Sequence, residues 1–378
     1  MHELSRRLTR RFRVIALVPD APRASESGEL DGVEVVRFRY APRGLQTLVN
    51  DGGIISNLRT NPWKWLLLPT FAISQMVALR RLLRGNKVDV IHAHWLLPQG
   101  LIATLTSKLT KGSPPVLVTS HGADLFALRG FLSVLLKRFV IQNAEAVTVV
   151  SEAMRQELVQ IGVSTERIKV RPMGVDLMEC FTPDARIARS DRRLLFVGRL
   201  VEKKGLRYLI DALPEVLKVV PDAYLVVVGF GPERVNLESQ VRRLGLKRHI
   251  QFDGALPQVD LPDYYRSATV FVAPFVEAAS GDQEGLGLVV AEAAGCGCPV
   301  ILGDVPGARG LLDTSCAEFV RPKDIGELAG KIIELLKDEA KRKQSAARAR
   351  ARVIEVVDWG AVADGYAKII DGIAKRWP

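Results

Sequence analysis

A glycine-containing loop leads into an apolar run within residues 280–295 of the 378-residue chain. Gly285 and Gly287 leave the loop without side chains, and the apolar run from Leu288 onward predicts a short helix. Glycine loops that feed a helix N-terminus present backbone N–H groups and the positive end of the helix dipole. The stretch therefore predicts an anion site suited to phosphate.

Two carboxylates bracket this loop. Glu284 precedes the glycines and is excluded from the phosphate contacts, because like charges repel. Glu292 lies about one turn into the predicted helix, where a carboxylate beside a nucleotide accepts hydrogen bonds from ribose hydroxyls. Glu284 is then left for another polyhydroxylated group. Taken alone, the pattern favours an ordinary loop–helix junction with two solvated glutamates.

Two cations stand at the end of one predicted strand and the start of the next helix. Arg199 follows the strand and Lys204 precedes the helix. A guanidinium contacts two phosphate oxygens at once and an ammonium acts as a point charge, so the pair suits a diphosphate. The turn at 229–231 is weak as a dinucleotide fingerprint, because Arg234 replaces its third glycine. We interpret it as a tight turn near a nucleotide.

The first half of the chain carries its own polar residues after a strand predicted at 116–119. His121 and Asp124 follow that strand, but no Gly-x-Ser-x-Gly elbow supplies a nucleophile. His92 and His94 form a candidate metal pair without a Glu-x-x-His partner, so core or cleft histidines are favoured. No Asp-x-Asp occurs, which argues against a metal-bound nucleotide-sugar site.

Length and composition indicate a soluble protein of two domains. The four cysteines form no disulfide framework, which fits a reducing cytosol. No uninterrupted apolar stretch is long enough to span a membrane. Residues 1–175 hold 24 Lys and Arg against 13 Asp and Glu, so the whole net charge of +11 lies there. A basic half indicates an anionic partner or simply solubilising charge.

Aromatic residues precede a basic amphipathic helix at 63–84. Such a stretch fits a core helix with a solvated basic end, or a helix at a membrane interface.

Strand–helix alternation predicts the elements that position these residues. An irregular stretch at 171–193 separates two such halves and is interpreted as a linker. Each half predicts a doubly wound, Rossmann-like α/β domain with ligands at the carboxyl ends of its strands, and the two domains are expected to face each other across a cleft. The predicted strands are 12–19, 33–40, 88–92, 116–119, 146–150, 194–197, 223–228, 249–252, 270–273 and 300–302. The predicted domains are 1–178 and 179–358, with a final helix at 359–378 crossing back to the first.

Together these motifs resemble family 4 of the retaining glycosyltransferases (glycosyl transferases group 1), which has the two-domain GT-B fold. The resemblance covers nearly the whole chain, although Met173 stands where the family's linker motif usually has asparagine. The motifs are Gly198-Arg199, Lys204-Gly205, Gly229-Phe230-Gly231, Glu284 with Glu292, His121-Gly122 and Arg171-Pro172-Met173-Gly174-Val175-Asp176.

The resemblance implies a role for each matching residue. Arg199 and Lys204 would clamp the donor diphosphate with the backbone of Gly285, Leu286 and Gly287. It also implies a retaining hexosyltransferase that uses no bound metal and no cofactor, because the nucleotide-sugar is a substrate.

The remaining roles concern the sugar, the nucleoside and the acceptor. Glu284 would contact the hydroxyls of the transferred sugar, and His121 would lie beside the anomeric carbon. Further roles are Glu292 on the ribose, Gly254 and Leu256 beside the base, and His94 and Asp124 on the acceptor side.

The expected partners are a UDP- or GDP-sugar and a saccharide or lipid-linked acceptor in polysaccharide or glycolipid assembly. A cytoplasmic enzyme is expected, with peripheral contact to an anionic membrane at its inner face left open and no nucleic acid. The alternatives are a basic lipid- or nucleic-acid-binding protein without turnover, or a GT-B epimerase or phosphorylase. The family begins with a strand and glycine-rich loop before the first helix, so the first domain is expected to lack its first strand.

Overall fold

The computed structural model describes residues 1–20, 28–49, 54, 57–58, 61–126, 128 and 130–377. The chain divides into two compact units. The first comprises Met1–Val149, Arg155–Arg171 and Ala363–Pro378, and the second comprises Val150–Met154 and Pro172–Val362. The division near residue 171 falls slightly before the predicted 178, and the return to the first unit falls inside the last helix.

The chain up to Arg171 forms two sheets and the helices around them. One sheet has the order β1-β3-β2, and the other is an all-parallel sheet in the order β4-β5-β6-β7. The elements are α1 His2–Leu8, β1 Ile15–Pro19, β2 Glu29–Leu30, β3 Val33–Phe38, α2 Leu67–Gly85, β4 Ile91–His94, α3 Leu101–Lys108, β5 Val116–Ser120, α4 Ala123–Phe126, α5 Phe131–Asn143, β6 Ala146–Val149, α6 Glu152–Gln160 and β7 Ile168–Val170.

The first unit departs from the single parallel sheet that was expected, because β2 runs antiparallel to β3. Asp31 and Gly32 connect these strands with positive φ angles of 50° and 79°. Two central residues with positive φ make a tight hairpin turn, and Asp-Gly is a preferred pair for it. β1 and β4 each end their sheet within the described residues. The absence of an initial family strand stays a prediction.

The second unit contains one six-stranded sheet that is parallel throughout, in the order β10-β9-β8-β11-β12-β13. Its strands are near-continuous apolar runs, as expected for strands covered on both faces. The elements are β8 Arg193–Val197, α7 Leu206–Val219, β9 Tyr224–Val228, α8 Arg234–Arg243, β10 Ile250–Gly254, α9 Leu261–Ser267, β11 Val270–Ala273, α10 Leu288–Gly295, β12 Val300–Gly303, α11 Pro306–Arg309, β13 Glu318–Val320, α12 Ile325–Lys337, α13 Glu339–Val357 and α14 Trp359–Ala374.

The strand order of this sheet reverses at β8. From β8 the chain proceeds to β9 and β10 on one side, and β11 then pairs on the other side of β8. In open α/β sheets, ligands bind outside the carboxyl ends of the strands at such a switch point. The loops after β8 and β11 therefore meet where a ligand is expected.

Candidate active site

Two of the sequence-predicted donor residues lie on the loops at this switch point. Lys204 belongs to a 3-10 turn, Glu202–Lys204, between β8 and α7. Glu284 lies on the loop between β11 and α10. The fold thus brings together residues eighty positions apart in the sequence.

Lys204 and Glu284 form an ion pair. The Lys204 Nζ lies 2.6 Å from Glu284 Oε2, and each side chain is only 13% exposed. The same ammonium lies 4.9 Å from the ring centroid of Phe275. Burial alone would raise the pKa of Glu284, but Lys204, Lys203 and the Gly287 N–H together hold that pKa below its ordinary value. Glu284 is therefore ionised at neutral pH.

Contacts on several sides fix the loop that carries Glu284. The Gly287 N–H donates to Glu284 Oε1 at 3.1 Å, and Lys203 Nζ donates to Asp282 and to the Gln283 carbonyl at 3.1 Å. Gly287 is the N-cap of α10 and has a φ of +71°, a conformation that favours glycine. A β-carbon on Gly307 would lie 2.0 Å from the Glu284 carbonyl oxygen, so only glycine fits behind this loop.

These contacts change one expectation about Glu284. Its carboxylate was expected to stay outside the anion site, whose donors were assigned to phosphate. Instead it holds two of them, the Lys204 ammonium and the Gly287 N–H. An ionised carboxylate is itself an anion, so the donors that suit phosphate also suit this side chain.

Arg199 lies two residues after the end of β8 and has an exposed side chain. Its guanidinium makes no hydrogen bond or ion pair with the part of the chain that the structure describes. Leu200 N–H donates to the carbonyl of Phe230 on the loop after β9, and the Phe230 ring is 61% exposed. The structure thus places a solvated guanidinium and an exposed aromatic ring on two packed loops. Phe230 belongs to the turn that the sequence predicted near a nucleotide, although no role was assigned to its ring.

Glu292 is the fifth residue of α10 and is buried. Its Oε2 accepts a hydrogen bond from the Tyr265 hydroxyl at 2.8 Å. No hydrogen bond from the described residues reaches Oε1. Burial raises the pKa of Glu292 to about 6, although Tyr265 and Lys204 both act to lower it. Sequence reasoning missed Tyr265, because one tyrosine on an amphipathic helix does not reveal its partner.

The two other predicted phosphate residues and the two base-side residues lie on these same loops. Gly285 and Leu286 lie between Glu284 and Gly287, and Leu286 is buried. Gly254 ends β10, and its carbonyl accepts a hydrogen bond from the Gly229 N–H at 2.6 Å. Leu256 is half-buried two residues further on. The assigned roles of these residues stay predictions.

The first unit contains a separate histidine cluster. The His94 Nδ1 and His121 Nε2 atoms lie 3.0 Å apart, and His92 Nε2 lies 2.7 Å from Thr119 Oγ1. Burial lowers the pKa of His121 to about 4 and that of His94 well below its ordinary value. Both rings are therefore neutral at pH 7, so His121 is suited to hydrogen bonding and not to carrying a positive charge.

Asp124 is almost fully buried in the first unit. Its oxygens accept hydrogen bonds from the Ser120 hydroxyl at 2.9 Å and the Leu96 N–H at 2.6 Å. Burial raises the pKa of this carboxyl above its ordinary value. These contacts order the loops after β4 and β5, which favours a positioning role over the acceptor contact that was expected. Among the described residues, no group of three His, Cys, Asp or Glu side chains is arranged to hold a metal ion.

Comparisons with known proteins define the class. The family model described as glycosyltransferase family 4 matches residues 1–179, and the model described as glycosyl transferases group 1 matches residues 182–352. Both are glycosyltransferase families, and between them they span nearly the whole chain.

Relatives and solved structures agree with this class. A GDP-mannose-dependent alpha-(1-6)-phosphatidylinositol monomannoside mannosyltransferase of Mycolicibacterium smegmatis is 27% identical over 81% of this chain and 82% of its own length. Sucrose-phosphate synthase of Thermosynechococcus elongatus has a TM-score of 0.78 at 21% identity, covering 98% and 92% of the two chains. Anabaena Alr3699/HepE in complex with UDP and glucose has a TM-score of 0.72 at 20% identity, covering 98% and 94%.

The protein is a glycosyltransferase with the GT-B fold, as predicted from its motifs. It belongs to glycosyltransferase family 4. Neither a binding protein without turnover nor an epimerase or phosphorylase finds support in these comparisons.

Proposed function

We propose that this chain transfers a hexose from a nucleoside-diphosphate sugar to a lipid-linked or saccharide acceptor, with retention of anomeric configuration and without a bound metal. The observation that carries the proposal is the Lys204–Glu284 pair at the switch point of the sheet, where Arg199 and the start of α10 also lie.

The cations of this site supply what the leaving group needs. Breaking the bond between the sugar and the diphosphate leaves negative charge on the departing phosphate. Lys204 is held by Glu284 and the Phe275 ring, so it is already in place and needs little reorganisation. Arg199 is exposed and can grip two oxygens. Fixed protein charges thus take the role that a divalent cation plays in other transferases.

The two carboxylates divide the remaining contacts. Glu292 has one oxygen held by Tyr265, which leaves Oε1 for a ribose hydroxyl. When phosphate takes the Lys204 ammonium, the released Glu284 carboxylate accepts hydrogen bonds from hydroxyls of the transferred sugar. A role for His121 on the transferred sugar is proposed from family membership, and its neutral ring would act there as a hydrogen-bonding group. Retention of configuration is proposed from family membership.

Relatives guide the choice of substrates. One relative is named for GDP-mannose and a phosphatidylinositol mannoside, and one structural neighbour holds UDP and glucose. We therefore propose that the donor is a GDP- or UDP-hexose and that the enzyme acts in glycolipid or polysaccharide assembly. The donor would be supplied from the cytoplasm. Nucleic acid has no part in this proposal.

Turnover tests the proposal directly. Purified chain is incubated with UDP- and GDP-hexoses and with glycolipid or oligosaccharide acceptors, with and without EDTA, and the product linkage is analysed by proton NMR. The proposal expects one donor to give an α-linked product from an α-linked donor, unaffected by EDTA, with loss of activity in Lys204→Ala. An inverted anomeric centre, or activity restored only by a divalent cation, would contradict the retaining or metal-independent part.

A further inference from the structure

The helix α2 has two different faces. Its inner face contributes Leu67, Phe71 and Leu79, all buried. Leu67 and Phe71 pack with Phe38 and Tyr40 in the core of the first unit, and the Phe71 ring makes edge contacts with both of these rings. The helix is therefore anchored in the protein along one side.

The outer face and the turn before it are apolar and solvent-facing. The side chains there are exposed by 49% at Trp63, 58% at Trp65, 78% at Leu66, 62% at Ile73 and 39% at Val77. Large apolar side chains that cluster at a surface mark an interaction site, whereas single exposed ones need no explanation.

Basic residues lie on the same outer face of α2, and this face and the turn before it are called the stripe below. Arg81 and Arg84 are exposed and follow Ile73 and Val77 at spacings of three to four residues, so they share their face of the helix. From residue 52 to residue 88 the sequence contains no Asp or Glu. The outer face therefore changes from aromatic and apolar to basic along its length, with no acidic residue in this part of the sequence.

A groove borders this stripe on one side. A cavity of about 570 Å³ lies between the outer face of α2 and β3. Val36, Ile73 and Val77 give it apolar walls, and Arg37, Arg39 and Arg81 line it with guanidinium groups.

The chemistry of this surface matches an anionic lipid bilayer. Tryptophan places an apolar ring and a polar N–H at the boundary between acyl chains and headgroups. Arginine pairs with phosphate, and basic residues concentrate proteins on anionic lipid. The first 175 residues carry the whole net charge of +11, so the long-range field of this half has the same sign.

The helix does not need to cross the membrane for this contact. By length and composition the 24 residues Pro62–Gly85 are long and apolar enough to span one, contrary to the expectation from the sequence. However, Leu67, Phe71 and Leu79 are packed into the protein core, so lipid cannot surround the helix. A helix with one face in the protein and the other in the headgroup region lies along the surface.

We propose that the outer face of α2, with Trp63 and Trp65, docks this enzyme on an anionic membrane surface. This contact goes beyond the proposed transfer reaction and does not depend on the identity of its donor. It would hold the first unit at the surface where lipid-linked acceptors reside.

Vesicle flotation of the full chain tests this proposal. Phosphatidylcholine vesicles are compared with vesicles containing one third phosphatidylglycerol. We expect binding to the anionic vesicles that falls at least tenfold in Trp65→Ser/Ile73→Asp and in Arg81→Glu/Arg84→Glu. Matched controls are Phe131→Ser on α5 and Val259→Ser in the second unit, whose side chains are 86% and 79% exposed. Both controls should bind vesicles as the wild type does.

Other outcomes would overturn the proposal. Equal binding to both vesicle types, undiminished binding of the α2 variants, or loss of binding in Phe131→Ser would each do so. A concentration-dependent dimer that Ile73→Asp abolishes, without vesicle binding, would assign this face to a second copy of the chain. UDP and GDP titrations on the same variants separate this result from the donor site, because they should be unchanged.

Discussion

The Lys204 ammonium lies 2.6 Å from Glu284 Oε2, and the Gly287 N–H donates to the other oxygen of the same carboxylate. The carboxylate of Glu284 thus contacts two of the groups that the motif assigns to phosphate. We propose that donor binding replaces this carboxylate by the diphosphate. This exchange would release Glu284 toward the sugar at the moment when the phosphate arrives.

Glu284→Gln should separate binding from transfer. Removing the charge frees Lys204 and Gly287 from a competing anion, so we expect affinity for the nucleoside diphosphate to stay equal or to rise severalfold. Transfer should fall on the order of 10²-fold, because the sugar loses a charged acceptor. Isothermal titration and initial rates measure the two effects. Glu277→Gln is the control, since this nearby carboxylate contacts Gln283 and not Lys204. A joint loss of binding and rate would refute the exchange.

Substitutions of the adjacent residues Lys203 and Lys204 should have very different effects on catalysis. Lys204→Ala removes the cation held by Glu284 and Phe275, and we expect kcat/KM to fall on the order of 10²- to 10³-fold. Lys203→Ala removes hydrogen bonds to Asp282 and Gln283 and a charge that acts on Glu284 without direct contact, and should cost less than about tenfold. Steady-state kinetics with saturating acceptor would show the difference. Similar losses of kcat/KM in both variants would indicate that the two lysines act by stabilising the loop and not by contacting the diphosphate.

If ribose hydroxyls donate to an ionised Glu292, as proposed, donor binding should weaken as pH falls through about 6, because the pKa of this carboxyl is raised to about 6. The Tyr265 hydroxyl donates to this carboxyl and lowers its pKa, so Tyr265→Phe should move the transition to higher pH. Titrations between pH 5 and 8 measure this. The control is Tyr264→Phe, whose hydroxyl contacts Asp253. An unmoved transition in Tyr265→Phe would show that another group titrates.

His121 should contribute no transition between pH 5 and 8, because burial lowers its pKa to about 4 and the ring stays neutral. His121→Ala should reduce transfer on the order of 10²-fold while leaving nucleotide affinity unchanged. His121→Asn should restore part of the rate, since its amide can donate a hydrogen bond. The assignment of a neutral ring is wrong if the wild type shows a change in rate near neutral pH that is absent from the pH–rate profile of His121→Ala.

The sequence predicted the second unit well, for a physical reason. Its strands are continuous apolar runs such as Leu194–Val197, each followed by glycine or polar residues, and this periodicity reports burial directly. The helix predicted from Leu288 begins at Leu288 in the structure. The two donor motifs could then be assigned to strand ends before any contact was known.

The features that were not predicted from the sequence depend on contacts between residues far apart in the chain. Lys204 and Glu284 were predicted separately, but sequence spacing carried no signal that they pair. Tyr265 and Phe275 were missed because a buried aromatic looks the same whether it supports a core or a site. The hairpin at Asp31-Gly32 was missed although its turn residues were visible, because β2 has only two residues. The contacts of the Asp124 carboxylate with Leu96 and Ser120 also could not be read from the sequence, and its acceptor-side role stays a prediction.

Titration of UDP and GDP into the wild type and Arg199→Ala tests the central claim most directly, namely that the loops after β8 and β11 bind the donor diphosphate. The account predicts that one of the two nucleotides binds the wild type and that Arg199→Ala weakens it at least tenfold. Arg243→Ala, which removes an exposed arginine at the end of α8, should bind as the wild type does. Binding that is equal in Arg199→Ala and wild type, or no binding of either nucleotide, would contradict the account.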